Sequence, residues 1–359
     1  MTPTIADNDN KETHYRKMKK TLTVAIPCYN VEWCLEKCLN SFITEPLLDN
    51  LEVLVVNDGS TDKTEMIAER YAKKHPSLFT IISKPNGGHG SAINAAIKKA
   101  KGKYFKAVDS DDWVATENLP AFLKELSKTE ADAIITHYQT EDMENGERKD
   151  YMTDDVVHNK LYSLDEYAAL GENALNCSTY HGLTYKTLTY RESETELSEG
   201  IFYEDHEYAT LPFIKVKTIQ PLNMFIYQYL VGNENQSVAE HKQISQLGHL
   251  EQVIKRLFLC HKENPEISQG ARSYIAWKTT ELLVSYYVIA MIKNPDRRSG
   301  RTIAKRFRDE MKSLETALIR KTDRRYKLVL TMNRLGFTAK RLQNIKRRIP
   351  HALVKKWHG

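Results

Sequence analysis

Apolar runs alternate with helix-period segments over the first part of the chain. Continuous apolar runs predict five β-strands, over residues 21–27, 51–57, 78–83, 104–108 and 131–137. Apolar residues three and four positions apart predict four helices between them, over residues 31–42, 61–74, 90–101 and 119–127. Strands that alternate with helices predict an α/β fold with a mostly parallel sheet flanked by helices.

The pattern changes after this alternation. Residues 142–200 mix short apolar runs with polar segments and give no clear assignment. From residue 244 the periodicity is helical, and helices are predicted over residues 249–260, 273–292, 303–321 and 338–357. We therefore expect three parts: a flexible, lysine-rich arm over residues 1–20, an α/β domain over 21–235, and a helical C-terminal region over 236–359.

Charge separates the last of these parts from the others. The chain has a net charge of +5, but residues 296–359 hold 20 Lys+Arg against 5 Asp+Glu, a net of +15. Apolar residues interleave with the last of these cations, namely Ile345, Ile349, Leu353 and Trp357. A basic helix of this kind is typical of an anionic membrane surface. Packing within the protein or against a second copy of the chain, and polyanion binding, are alternatives, although no nucleic-acid motif is present.

Cysteine usage and the longest apolar stretch bear on location. The five cysteines are odd in number and form no zinc-type pattern, so free thiols in a reducing compartment are expected. The N-terminus lacks the apolar core of a signal peptide, and the stretch over residues 282–292 is short for a bilayer span. We expect a cytoplasmic protein, or one bound to the cytoplasmic face of a membrane.

Polar clusters follow three of the predicted strands, at residues 27–30, 57–60 and 109–112. Ligands of open α/β sheets bind at the carboxyl ends of the strands. Asp109, Asp111 and Asp112 offer the oxygen ligands that Mg²⁺ and Mn²⁺ prefer, although a solvated turn with a helix cap is an alternative. Asp58 suits hydrogen bonds to a nucleobase or ribose, or else a simple strand-to-helix turn.

Two further segments carry candidate chemistry. The glycine-rich loop over residues 84–91 precedes a helix whose N-terminus suits a phosphate, but it matches neither a P-loop nor a dinucleotide fingerprint. A flexible turn is the alternative there. Glu204 and Asp205 precede another predicted helical turn. They cap that helix, or one of them removes a proton from an attacking hydroxyl.

Together these segments resemble the family 2 glycosyltransferases of the GT-A fold. The matching stretches are VAIPCYN (24–30), VVNDGSTDKT (55–64), NGGHGSAINAAIKKAKGKYFKAVDSDDW (86–113) and FYEDHEY (202–208). The resemblance implies that residues 21–235 are a catalytic domain and that the nucleotide-sugar site comprises Pro27, Tyr29, Asn30, Asp58, Gly88, Asp109 and Asp111. It also implies that Asp109 and Asp111 form a DxD metal site with Asp112, and that Asp205 is the catalytic base, supported by Glu204.

The implied reaction is a single inverting displacement of a sugar from a nucleoside diphosphate, with UDP as the expected nucleotide and Mn²⁺ or Mg²⁺ as cofactor. The QxxRW motif of processive synthases is absent from YQYLVG (227–232), which favours a non-processive enzyme. By analogy, the acceptor is a glycan or lipid-linked glycan of a bacterial cell-surface polysaccharide. A sugar nucleotidyltransferase and a non-catalytic glycan-binding or scaffold module are the alternatives.

Overall fold

The computed structural model describes residues 20–46, 48–232, 240–338 and 341. The expected N-terminal arm, apart from Lys20, lies outside the described residues. So does nearly all of the helix predicted over residues 338–357. The chain divides into two compact units. The first contains residues up to 233 together with 266–274, and the second contains 234–265 and the residues from 275 onward.

The first unit is built on one mixed sheet of ten strands. They are β1 (Lys20–Cys28), β2 (Leu51–Asn57), β3 (Phe79–Ser83), β4 (Gly102–Ala107), β5 (Trp113–Val114), β6 (Ala133–Asp142), β7 (Arg148–Tyr151), β8 (Tyr162–Ser163), β9 (Leu183–Lys186) and β10 (Thr218–Val231). The main order is β3-β2-β1-β4-β9-β6-β10-β5, with β7 paired to β6 and β8 to β10. Strands β3, β2, β1 and β4 are mutually parallel, as are β6 and β10.

Helices flank this sheet. They are α1 (Leu35–Asn40), α2 (Thr64–Lys74), α3 (His89–Lys99), α4 (Leu119–Lys128), α5 (Leu164–Ala169), α6 (Glu172–Leu175), α7 (Thr187–Glu192) and α8 (Asp205–Tyr208). Every residue of β2 is buried, as expected of a parallel strand covered on both faces. The alternating pattern predicted from the sequence is confirmed, and the parallel strands carry their polar ends to one edge of the sheet.

Residues 142–200, which have no clear assignment from the sequence, contribute the central strand β9. β9 pairs antiparallel with both β4 and β6 and so lies between two strands that the sequence predicts. Only four residues long, it carries no periodicity of its own. The fold class is therefore the expected one, with an antiparallel insertion in its sheet.

The second unit is helical in its described part. Its helices are α9 (Glu240–Ser245), α10 (Leu247–Glu263), most of α11 (Gln269–Val288), α12 (Arg297–Leu314) and α13 (Thr316–Arg334), and a π-turn over Ile289–Lys293 extends α11. The single helix predicted over residues 303–321 is wrong. Glu315 has an extended backbone that separates α12 from α13, and its carboxylate lies 2.8 Å from Nδ1 of His261.

One helix among the described residues, Gln269–Lys293, is long and apolar enough to cross a membrane by length and composition. Within the protein, however, 67% of its most apolar window is buried. Its buried side chains include Tyr286, Tyr287 and Met291. A helix buried to this extent is typical of a protein core, so it is weak evidence for a membrane span.

Candidate active site

The ends of β1 and β2 are joined by side chain–backbone hydrogen bonds. Asn30 has a left-handed backbone, with a φ of 52°. Its amide donates to Ser60 Oγ at 3.1 Å, and its side-chain oxygen accepts from the amide of Thr61 at 2.8 Å. Pro27 is buried just before this junction, whereas the Tyr29 side chain is exposed. The predicted base-pocket residues of strand one therefore lie beside the loop that follows Asp58.

Asp58 is buried and holds the glycine-rich loop. Its carboxylate accepts from Lys84 Nζ at 2.6 Å, from the amide of Gly87 at 3.0 Å and from the amide of Gly88 at 2.7 Å. Two amides that the sequence offered to a phosphate are thus bound to a carboxylate of the protein itself. A nucleobase contact for Asp58 stays a prediction, and the structure adds a role in shaping this loop.

The glycine-rich loop approaches the segment that precedes Glu204 too closely for side chains. A Cβ on Gly88, which has a φ of 88°, would lie 2.9 Å from the amide nitrogen of Gly200. The amide of Gly200 in turn donates to the carbonyl of Gly87 at 2.8 Å. Glycine is required here for both its conformation and its size, and this contact fixes the 200–208 segment beside the start of α3.

His89, the first residue of α3, lies between two carboxylates. Its Nδ1 is 2.6 Å from Glu204 Oε1, and its Nε2 is 2.9 Å from Asp109 Oδ1. Burial acts to lower the pKa of His89, but the two carboxylates raise it well above its ordinary value. This one ring therefore connects the end of β4 to the segment that carries the predicted catalytic base.

The three aspartates after β4 form the acidic cluster, meaning Asp109, Asp111 and Asp112. One carboxylate oxygen from each lies within 4.8 Å of the others. Such a set of hard oxygen donors fits Mg²⁺ or Mn²⁺. Burial acts to raise the pKa of Asp109, but the neighbouring His89 brings it below its ordinary value, so this carboxylate favours its charged form.

Asp112 differs from the other two aspartates. It is buried, Tyr227 donates its hydroxyl hydrogen to Oδ2 at 2.5 Å, and the amide of Leu230 donates to Oδ1 at 2.8 Å. The Tyr227 hydroxyl also accepts from the amide of Asp109 at 3.1 Å. Burial, together with the charges of Asp111 and Asp109, raises the pKa of Asp112 well above its ordinary value. Its hydrogen bonds attach the acidic cluster to β10.

Asp205 begins α8 and is partly exposed. Burial lowers the pKa of the neighbouring His181 to about 4, although the charges of Asp109 and Asp205 act to raise it. The ring of His181 stacks on Tyr229 with 4.3 Å between ring centroids. These two rings therefore belong to the surroundings of both the acidic cluster and the predicted base.

Several of these residues had no predicted role. His89 stands within one of the matching stretches, and Tyr227 begins the stretch that lacks the QxxRW motif. The contacts of His89 with Glu204 and of Tyr227 with Asp112 each join residues 115 positions apart in the sequence. Lys106 had a detectable signal, because it is a charged residue inside an apolar strand. It is buried, donates to the carbonyls of His181 and Leu183 at 2.7 and 3.1 Å, and has a pKa that burial lowers to about 7.

Comparison with known proteins agrees with this architecture. A crystal structure of Staphylococcus aureus TarS residues 1–349 in complex with UDP-GlcNAc superposes with a TM-score of 0.62 and 17% identity, covering 88% of this chain and 92% of that one. At this identity the likeness concerns the fold alone. The fold of the first unit is therefore of the GT-A class.

The family follows from sequence. Residues 23–190 match the family described as glycosyl transferase family 2, and the protein therefore carries a family 2 glycosyltransferase domain. Glycosyltransferase GlyA of Streptococcus pneumoniae is 34% identical over 39% of this chain and 20% of its own length. The uncharacterized glycosyltransferase EpsJ of Bacillus subtilis is 29% identical over 52% of this chain and 53% of its own length. The minor teichoic acid biosynthesis protein GgaB of the same organism is 38% identical over 31% of this chain and 13% of its own length. The chain thus spans about half, or less, of these curated relatives.

Proposed function

We propose that the protein is an inverting, non-processive glycosyltransferase that moves a sugar from a nucleoside diphosphate to a glycan or lipid-linked acceptor. Catalysis is assigned to residues 21–235, and the product is a bacterial cell-surface polysaccharide. The observation that carries the proposal is the bridge formed by His89 between Asp109 and Glu204. It joins the predicted donor site to the residue beside the predicted base.

The donor is assigned to the junction of β1, β2 and the acidic cluster. Tyr29 and Asn30 are exposed there and would contact the base, with UDP as the expected nucleotide. The fold shared with a TarS structure that contains UDP-GlcNAc supports a nucleotide-sugar donor. Similarity to a teichoic acid biosynthesis protein supports a cell-surface product.

Asp109 and Asp111 would hold the divalent cation, with Asp112 fixing their loop. When bound, Mg²⁺ or Mn²⁺ neutralises the negative charge of the departing diphosphate. The protein's own contribution is to keep the Asp109 carboxylate charged and oriented through His89, and to anchor its backbone amide through Tyr227.

Asp205 is assigned as the general base. Its carboxylate would accept the proton of the acceptor hydroxyl as that oxygen attacks the anomeric carbon. Attack from the face opposite the diphosphate inverts the configuration at this carbon. Glu204 is not positioned for this role, because it is buried and bound to His89.

The place of action is assigned to the cytoplasm and the cytoplasmic face of the membrane. The five cysteines are free and four are buried, which suits a reducing compartment. The basic C-terminal region would bring the enzyme to lipid-linked acceptors at an anionic surface.

Thermal unfolding with nucleotides tests the donor assignment. We expect one of UDP, GDP, CDP and ADP to raise the unfolding midpoint in the presence of Mn²⁺, because a ligand of the folded state stabilises it. Asp111→Ala should abolish this shift. The matched control is Asp49→Ala, which removes an exposed carboxylate from the turn that precedes β2.

The reaction itself is tested by product analysis with the nucleotide sugar so identified. Release of the nucleoside diphosphate, lost in Asp205→Asn, supports the transferase. Release of pyrophosphate from a nucleoside triphosphate and a sugar phosphate would instead identify a nucleotidyltransferase. No nucleotide-dependent shift in the unmodified protein would favour a glycan-binding module.

A further inference from the structure

Helix α13 presents a continuous cationic face. Its exposed basic residues are Arg320, Lys321, Arg324, Lys327 and Arg334. At 3.6 residues per turn these side chains fall within an arc of about 140° on one side of the helix. The opposite side is buried through Leu318, Thr322, Val329 and Met332. The basic residues therefore form one surface, which we call the α13 face.

The charges of this face are uncompensated among the described residues. None of its five basic residues forms an ion pair with another described residue. The single acidic residue of α13 is Asp323, which binds Arg308 of α12 instead. Arg325, on another side of the helix, is bound to Glu281. Cations without local partners create a positive potential available to an external anion.

Two leucines project among these cations. Leu328 is 46% exposed and Leu335, just after the helix, is 67% exposed. They are seven residues apart, so they lie two turns apart on the same side of the helix as Arg324. Exposed leucines gain little from the charged groups of a polyanion such as heparin, but they gain free energy by entering the acyl region of a bilayer.

We infer that the α13 face docks on an anionic phospholipid membrane, with the five cations at the headgroups and Leu328 and Leu335 inserted below them. Self-association through this face is disfavoured, because a two-fold interface would bring the same cations together. The inference rests on the proposed function only for the choice of a membrane-linked acceptor. The sequence assigned membrane contact to the basic C-terminal region as a whole, and the inference narrows it to α13. The apolar residues Ile345, Ile349, Leu353 and Trp357, which supported that assignment, lie outside the described residues.

Vesicle co-sedimentation tests this inference on the full chain. The vesicles contain phosphatidylglycerol and phosphatidylcholine at a ratio of about 1:3, or phosphatidylcholine alone. We expect binding to the anionic vesicles that weakens as salt is added. The variant Arg320→Glu/Arg324→Glu/Lys327→Glu should bind about 100-fold more weakly or worse, because each cation contributes about fivefold.

A charge-matched control separates the α13 face from net charge. Lys73→Glu/Lys74→Glu/Lys124→Glu changes three exposed lysines of the first unit and should retain most of the binding. Leu328→Ser/Leu335→Ser should lower vesicle affinity about tenfold and leave retention on heparin unchanged. Circular dichroism and the thermal midpoint establish that each variant is folded.

Three results would overturn the inference: equal binding of the α13 triple variant and the unmodified protein, equal binding to neutral and anionic vesicles, or loss of heparin retention with vesicle binding intact. The last would assign the face to a polyanion. The assay contains neither donor nor acceptor, so its failure leaves the proposed transferase reaction standing. Nucleotide-dependent thermal shifts should be the same in the α13 variant as in the unmodified protein.

Discussion

The imidazole of His89 contacts the carboxylate of Glu204 at 2.6 Å and, through its other nitrogen, that of Asp109 at 2.9 Å. Glu204 is buried and adjoins the predicted base, and Asp109 belongs to the acidic cluster. A ring with hydrogen bonds at both nitrogens cannot rotate without breaking one of them. His89 therefore sets the position of the 200–208 segment relative to the acidic cluster.

Replacing this ring should separate the two parts of the site. In His89→Ala, the Glu204 carboxylate loses its hydrogen-bonded partner, at a cost of about 1.5–3 kcal/mol in the free energy of unfolding. We expect kcat to fall about 100-fold, because misplaced catalytic groups are costly. His89→Gln, which keeps one side-chain donor, should recover part of kcat. Steady-state kinetics and urea unfolding measure the two effects, and an unchanged kcat in His89→Ala would contradict the positioning role.

Substitution of Asp111 should affect mainly metal-dependent nucleotide binding, whereas substitution of Asp112 should affect mainly the free energy of unfolding. Asp111→Asn should remove the metal dependence of nucleotide binding and cost less in the free energy of unfolding than Asp112→Ala, because Asp111 is only half-buried whereas Asp112 is fully buried. Asp112→Ala leaves the Tyr227 hydroxyl and the Leu230 amide without their acceptor, which should cost about 1–3 kcal/mol. Urea unfolding and Mn²⁺ titration of the nucleotide-induced thermal shift distinguish them. Equal destabilisation by both substitutions would count against the separate roles.

The sequence predicts the features of this fold that depend on neighbouring residues, and it does not predict those that depend on contacts between residues distant in the chain. The sequence predicts β2 because a parallel strand buried on both faces is a continuous apolar run. It does not predict the end of α12 before Glu315, because helical periodicity continues through this residue and the break coincides with a contact to His261. The acidic cluster is predictable from its place after a strand. The anchoring of Asp112 by Tyr227 is not, because it depends on how a distant strand pairs.

Lys106 should make stability depend on pH. Burial lowers its pKa in the folded protein from 10.5 to about 7. Between these two values the unfolded chain keeps a proton that the folded chain has released, so the free energy of unfolding rises with pH there. The contribution of Lys106 to this slope is at most about 1.4 kcal/mol per pH unit. It should vanish in Lys106→Met, which cannot bind a proton.

Urea unfolding of the two proteins between about pH 6 and 9 measures this difference. Loss of the donor to the carbonyls of His181 and Leu183 shifts the whole Lys106→Met curve, because that cost does not depend on pH. The diagnostic quantity is therefore the change with pH in the gap between the two curves. Parallel curves would mean that Lys106 keeps its proton in the folded protein throughout this range.

Gly88 and Gly171 form a natural pair for testing the contact between the glycine-rich loop and residue 200. Each precedes a helix, with φ and ψ of 88° and 171° for Gly88, and of 97° and −172° for Gly171. This region is essentially restricted to glycine, so alanine at either position should cost about 1–3 kcal/mol through backbone strain. Only at Gly88 would the added Cβ also meet a neighbour, the amide nitrogen of Gly200 at 2.9 Å.

Gly88→Ala should therefore cost more in urea unfolding than Gly171→Ala and should lower kcat, because it pushes the segment that carries Glu204 and Asp205 away from α3. Gly171→Ala has open space around its Cβ and should leave kcat unchanged. Since both variants pay similar strain, the difference between them isolates the contact at residue 200. Equal kcat values for the two variants would mean that the 200–208 segment holds its catalytic position without the glycine-rich loop.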